Sequence, residues 1–130
     1  MDFHFASAWE VVADKFPNRV ATISDDKPLS WQEFERRASC IASLLEEHGL
    51  GPDSKAGLYL HNCSEYQEAQ FGIFKVGGCP INVNYRYKSD ELVYLLDNSD
   101  AEAVFFQSCY AMRIWEIRER LPKVKLFVQI

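Results

Sequence analysis

The sequence predicts an α/β fold: a partial doubly wound, flavodoxin-like parallel sheet with helices on both faces, preceded by a helix and a short β-hairpin. Three observations carry this expectation. After residue 55, short apolar runs alternate with helical patterns of roughly ten residues, the rhythm of strand, crossover helix, strand. The runs KAGLYLH, PINVN, AEAVFF and KLFVQI are nearly continuous in apolar character, as strands covered on both faces are. Right-handed crossovers then restrict how such strands can be joined.

Taken in order, residues 1–54 read as helix, hairpin, helix, and 55–130 as alternating strand–helix units, the whole forming one domain. Phe5, Trp9, Val12, Ala13 and Phe16 recur at helical spacing, and Pro17 ends that segment. RVATIS and PLS flank the turn DDK as a hairpin too short to stand alone. The next helix has a full start signal: Ser30 as N-cap, Glu33 returning the hydrogen bond, and Leu29 with Phe34 as hydrophobic staple. Its core face is expected to be Trp31, Phe34, Ala38, Ile41, Leu45 and His48, with Gly49 closing it in the left-handed conformation. His48 also reads as a last-turn group beside the helix dipole.

The strand at 55–61 is followed by Ser64-Glu65-Tyr66-Gln67, a second capping box opening a helix to about Val76, which Gly77 and Gly78 stop. PINVN is a short strand, Ser89-Asp90-Glu91 opens an acid-started helix through Leu96, and AEAVFF is again a strand. A helix near 109–121 and the strand KLFVQI complete the pattern. Ending on an apolar strand leaves an edge that natural proteins usually blunt, so a longer polypeptide is expected to continue beyond Ile130.

Composition narrows the function classes. The chain has 130 residues, 48% hydrophobic and 25% charged, and a net charge of −5, ordinary for a globular protein with a real core. That charge disfavours nucleic acid as a partner. The one basic cluster, Arg113, Arg118, Arg120, Lys123 and Lys125, is interleaved with Glu116 and Glu119, and the Glu116/Arg120 spacing reads as a solvated helix face. No apolar run is long enough to span a membrane, and the start MDFHFASAWEVV lacks a basic leader. Cys40, Cys63, Cys79 and Cys109 show no CxxC pairing, which suits reduced thiols in the cytoplasm. With only His4, His48 and His61 to join them, at no metal-finger spacing, no metal site is expected.

Several single residues invite functional readings. Asn62-Cys63-Ser64 matches a glycosylation sequon, but a cytoplasmic chain is not modified there and capping accounts for Ser64. Cys79, between Gly78 and Pro80, reads as a small core residue rather than a nucleophile. Phe71, Phe74, Phe105 and Phe106 read as core. Arg86, just past a strand expected to end at the ligand-collecting edge of the sheet, either pairs with Asp90 or Glu91 or stacks between Tyr85 and Tyr87.

Four segments in order then carry a resemblance along the whole chain: LSWQEF (29–34), GLYLHNCSEY (57–66), FGIFKVGGCPINVNYRY (71–87) and DELVYLLDNSDAEAVF (90–105). Together they resemble the N-terminal region of the adenylate-forming superfamily, in its bacterial acyl-CoA synthetase (fatty-acid-CoA ligase) branch. LSWQEF is similar to the first core motif, with Trp31 and Phe34 in place of the usual tyrosine and leucine. FKVGGCPINVN is similar to the second, with Lys75-Val76-Gly77-Gly78 replacing Lys-Ala-Gly-Ala, and Asn84-Tyr85-Arg86 replacing Asn-Pro-Arg.

The resemblance implies an ATP- and Mg²⁺-dependent ligase that converts a carboxylic acid, in this branch a fatty acid, to its acyl-adenylate and passes the acyl group to coenzyme A. It implies no catalytic residue within 1–130. The family's Ser/Thr/Gly-rich phosphate loop, ribose-binding acid and C-terminal lysine have no match here, and neither GxxxxGK[ST] nor GxGxxG substitutes for them. The segment alone is therefore expected to be inactive and to bind none of these cofactors. Arg86 is the one residue to which the resemblance carries a role, contact with the phosphate of the coenzyme A nucleotide, which a planar guanidinium suits. The expected partners are the remainder of the same polypeptide and, through exposed sheet edges, further copies. A stand-alone flavodoxin-like binding or interaction module without catalysis is the alternative.

Overall fold

A computed structural model describes residues 4–130; the first three residues of the MDFHFASAWEVV start lie outside them. The first helix, α1 (Phe5–Lys15), forms where the apolar spacing requires it. The strands β1 (Val20–Ser24) and β2 (Lys27–Ser30) pair antiparallel. Their turn is Asp25-Asp26 alone, with φ of 48° and 60°, the doubly left-handed geometry that matches strand twist. Lys27, expected in the turn, opens β2 because two such residues already reverse the chain.

The next helix, α2 (Trp31–Glu47), begins as Ser30 predicts, its hydroxyl accepting from the Glu33 amide at 3.2 Å. Only half of the capping box forms. The Glu33 carboxylate turns to Arg36 at 2.6 Å, while the Trp31 and Gln32 amides donate to the carbonyls of Arg19 and Pro17. At the other end Gly49 has φ +77°, its amide reaches Glu46 O and the Leu50 amide reaches Leu45 O, a Schellman closure. His48 is exposed rather than on the core face, and its Nδ1 bonds the Leu44 carbonyl at 2.9 Å. Ala42, nearly two turns earlier, is buried instead.

Four strands, β3 (Lys55–Tyr59), β4 (Cys79–Asn82), β5 (Ala101–Phe106) and β6 (Leu126–Gln129), form one parallel sheet in the order β4-β3-β5-β6. Helix α3 (Ser64–Lys75) joins β3 to β4 and packs with α2 on one face. Helices α4 (Ser89–Asn98) and α5 (Ala111–Ile117) cover the other, α5 being flanked by 3₁₀ turns at 108–110 and 118–120. The chain leaves β3 for β4 on one side, then crosses back over it to β5. The expected doubly wound architecture is what forms.

Two buried layers result, Leu45, Leu58, Ile73 and Phe105 on the α2/α3 face and Leu92, Leu96, Val104 and Ile117 on the α4/α5 face. Each of these large side chains contributes about 2 kcal/mol by leaving water. Phe71, Phe105 and Phe106 are core, as expected, and Phe74 packs beside Trp9 in a third cluster that seats α1. The approach of α2 to α3 is close enough that a Cβ on Gly72 would meet Ile41 Cγ2 at 2.5 Å. Polar bridges cross the same seam. Arg37 meets the buried Glu68 at 2.9 Å, and Lys75 reaches Glu10 of α1 at 2.7 Å and Glu35 of α2 at 2.6 Å.

Three local expectations are corrected. Ser64 is the first helical residue of α3 rather than its cap; Cys63 occupies the cap position, with no side-chain cap bond. Cys79 is exposed at the start of an edge strand, so it fills no core. The basic cluster is not one solvated face. Arg120 pairs with Asp90 rather than Glu116, Lys123 with Asp97 and Asp100, Lys125 with Glu102, and Arg113 turns inward. Arg120, Lys123 and Lys125 follow α5 and find their partners on α4, just after it and on β5, which local spacing alone cannot reveal. Among the described residues no helix is long and apolar enough to cross a membrane.

Candidate functional site

In an open parallel sheet, ligands collect beyond the carboxyl ends of the strands where the winding reverses. Here that point lies between β3 and β5, and the segments leaving these strands and β4 meet there. The chain leaving β3 places His61 beside Gln107, which follows β5; the His61 amide donates to Gln107 Oε1 at 2.9 Å. Imidazole Nε2 lies 2.6 Å from the Tyr110 hydroxyl, and the ring stands edge-on to Tyr85 at 4.5 Å. Desolvation, with the neighbouring Cys109 adding, holds the Tyr110 phenol above its ordinary pKa.

One layer below, Tyr59 is fully buried and stacks on Tyr110 at 4.3 Å between ring centroids. Its hydroxyl donates to the Tyr87 carbonyl at 2.9 Å and accepts from Arg113 Nη1 at 2.6 Å; the same Nη1 donates to the Tyr87 carbonyl at 3.0 Å. The 84–88 segment is thus tied from below. It is also closed on itself, because Asn84 Oδ1 accepts from the Arg86 amide at 2.9 Å and Asn84 O from the Tyr87 amide at 3.0 Å.

Arg86 sits at the crest of this turn, exposed, with its guanidinium 5.7 Å from the Tyr85 ring centroid. The stacking expected for it is present on the Tyr85 side. The pairing with Asp90 or Glu91 is not: Asp90 is held by Arg120 at 3.0 Å, and the Glu91 carboxylate accepts from the Lys88 amide at 2.8 Å to start α4. Both acids are committed to building the helix entrance, which leaves the guanidinium of Arg86 without a carboxylate among the described residues. Such a group, beside an aromatic face, is fitted to an anion on a planar molecule.

A second concavity, of about 520 Å³, lies between β1 and the first turn of α3, lined by Thr22, Asn62, Cys63, Gln67 and Gln70 among others. Burial pushes the Cys63 thiol up, which disfavours the thiolate and with it nucleophilic chemistry. Among the described residues no group of three or more His, Cys, Asp or Glu side chains comes together to hold a metal ion. Nor does the rim of the sheet combine a nucleophile with a base and a third orienting group.

A family model described as AMP-binding enzyme matches residues 9–129. The chain belongs to this family. It is 36% identical over its full length to a 3-oxocholest-4-en-26-oate–CoA ligase of Rhodococcus rhodochrous. It is 38% identical over 98% of its length to a medium/long-chain-fatty-acid–CoA/3-oxocholest-4-en-26-oate–CoA ligase of Mycobacterium marinum. In both cases it spans 23% of the relative. A long-chain-fatty-acid-CoA ligase of Archaeoglobus fulgidus superposes with a TM-score of 0.89 over 100% of this chain and 28% of its own, at 20% identity, which speaks for the fold. The resemblance to the N-terminal region of adenylate-forming enzymes is therefore borne out, and this AMP-binding family segment is about a quarter of the length of the relatives it matches.

Of the residues around the site, sequence reading singled out Arg86 alone. His61, Tyr59, Tyr110 and Arg113 were missed. The rule that drew attention to Arg86, its place just past a strand, applies equally to His61 after GLYL. Nothing local marks Arg113, whose role depends on α5 lying beneath the turn.

Proposed function

We propose that this chain is the N-terminal part of an ATP-dependent acyl-CoA synthetase, an acid–thiol ligase that activates a carboxylic acid as acyl-AMP and transfers the acyl group to coenzyme A. The observation that carries this reading is identity of 36% and 38%, along essentially the whole segment, to two enzymes named as CoA ligases. Their names mention a sterol-derived acid and medium- to long-chain fatty acids, so the acid favoured here is aliphatic with a large apolar body.

Within that enzyme residues 1–130 act as scaffold and as one wall of the coenzyme A approach. Arg86 fits the nucleotide phosphate of coenzyme A: it is exposed, free of carboxylate partners among the described residues, and backed by Tyr85. The residues present do not fit ATP phosphates or Mg²⁺. Among the described residues no group of acids or other metal-ligating side chains gathers, and no glycine-rich phosphate loop occurs in the sequence. No step of adenylation is assigned to this segment, and the remainder of the polypeptide supplies it. The free cysteines suit a cytoplasmic setting.

The test is to express the reading frame with whatever follows Ile130 and assay acyl-adenylate and acyl-CoA formation with palmitate, 3-oxocholest-4-en-26-oate and benzoate. Acyl-CoA from an aliphatic substrate, dependent on ATP and Mg²⁺, supports the proposal. A frame that stops near Ile130, giving a protein that forms neither product, favours a non-catalytic module.

A further inference from the structure

We propose that Arg113 is a positioning residue. Acting through Tyr59 and the Tyr87 carbonyl, it fixes the 84–88 turn and so the direction in which Arg86 is presented to an anionic ligand. This rests on the reading of Arg86 as the coenzyme A phosphate contact and adds a residue to that site.

The geometry is a three-way lock. Arg113 rises from α5, Tyr59 ends β3, and the Tyr87 carbonyl belongs to the turn after β4; guanidinium, hydroxyl and carbonyl are mutually bonded at 2.6, 3.0 and 2.9 Å. Three separately folded elements converge on one backbone oxygen. That oxygen closes the far side of a turn whose near side is closed by Asn84, with Arg86 between them. The turn's own bonds fix its shape; the lock ties its Tyr87 end to β3 and α5, while Tyr85 meets His61 edge-on at 4.5 Å.

The charge distribution points the same way. Every other arginine or lysine from Arg118 to Lys125 has a carboxylate within 4 Å: Arg118 with Glu119, Arg120 with Asp90, Lys123 with Asp97 and Asp100, Lys125 with Glu102. Arg113 is half-buried, and among the described residues it has none; its partners are a phenol, a carbonyl and the face of Tyr110 at 5.8 Å. Holding a cation against neutral oxygens is costly if packing is the only return. Held here it supplies direction to the turn that carries Arg86.

The experiment uses the full-length ligase. Arg113→Met keeps the apolar stem and removes the donors; Tyr59→Phe removes the hydroxyl and keeps the stack on Tyr110. Arg113→Met should raise the KM for CoA about tenfold, Tyr59→Phe about threefold, and both should leave ATP–pyrophosphate exchange within about twofold of the parent. Because Arg113 acts through Arg86, the double variant Arg86→Ala/Arg113→Met should be no worse for CoA than Arg86→Ala alone. Fully additive losses, an unchanged KM for CoA in Arg113→Met, or an equal loss of pyrophosphate exchange would each overturn the proposal. Should Arg86→Ala itself leave the KM for CoA unchanged, the phosphate reading of Arg86 is what fails. The positioning claim is then decided by amide exchange: faster exchange at Arg86, Tyr87 and Lys88 in Arg113→Met with β3 unaffected sustains it, and unchanged exchange there refutes it.

Discussion

Replacing Lys75 by Met is the sharpest probe of how the helical layer is held. The ammonium sits between α1, α2 and α3, 11% exposed, 2.7 Å from Glu10 and 2.6 Å from Glu35, and 4.8 Å above the Phe71 ring. Methionine keeps the stem over Phe71 but deletes both charge-assisted bonds and leaves two carboxylates facing each other. A buried bond of this kind is worth up to about 3 kcal/mol. The carboxylates here are 43% and 33% exposed, so water recovers much of each, and about 1 kcal/mol apiece is the appropriate value. The expected loss is therefore about 2 kcal/mol, or roughly 8 °C in Tm for a domain of this size.

The pH dependence of that contribution follows from the same contacts. For Lys75, burial works against the charge, but the bonds to Glu10 and Glu35 outweigh it and leave its pKa raised; the stabilisation is whole below about 10.5 and is lost as the pH climbs through the folded-state value. The Lys75 bond holds the Glu35 carboxyl below its ordinary 4.5, against the opposing effect of burial, so its share is whole above 4.5 and disappears as the pH falls through the folded-state value. Urea unfolding at pH 7 followed by circular dichroism gives the comparison, with Glu10→Gln and Glu35→Gln as partners in double-mutant cycles. A loss under about 0.5 kcal/mol, or additive cycles, would refute the bridge as a stabilising element.

Other consequences can be measured alongside. Gly72→Val should destabilise by about 2 kcal/mol or more in the same unfolding assay, because the first added carbon already meets Ile41 at 2.5 Å with the α2 backbone close behind. Gly49→Ala meets no atom within 4 Å, so its cost should be conformational alone, about 1 kcal/mol from the left-handed φ. Both β4 and β6 are edge strands, and the isolated 130-residue chain is expected to show concentration-dependent association by sedimentation; a monomer at all concentrations would count against strand exchange.

Wherever local chemistry decides the outcome, the sequence was legible. Ser30 caps α2, Gly49 and Gly77 close their helices at positive φ, and the apolar runs become the parallel strands. Features settled by tertiary contact were not. Glu33 leaves the capping box half-made, its carboxylate held by Arg36 at 2.6 Å, while the carbonyls of Arg19 and Pro17 take the Trp31 and Gln32 amides. Cys79 is exposed because β4 is an edge strand, a fact of strand order rather than of composition. Arg113 looked like one member of a solvated cluster, yet the position of α5 turns it under the 84–88 turn. The rim was found only at Arg86, where a familiar motif pointed to it; His61 and Tyr110 lie 49 positions apart and meet only in the folded sheet.

The most direct test of the account separates the two half-reactions of the full-length ligase in the Arg86→Ala variant. If residues 1–130 furnish a wall of the coenzyme A approach and none of the groups that handle ATP, the KM for CoA rises about tenfold while ATP–pyrophosphate exchange holds at the parent rate. A KM for CoA that does not move, or an exchange rate that falls in step with it, contradicts that division of labour.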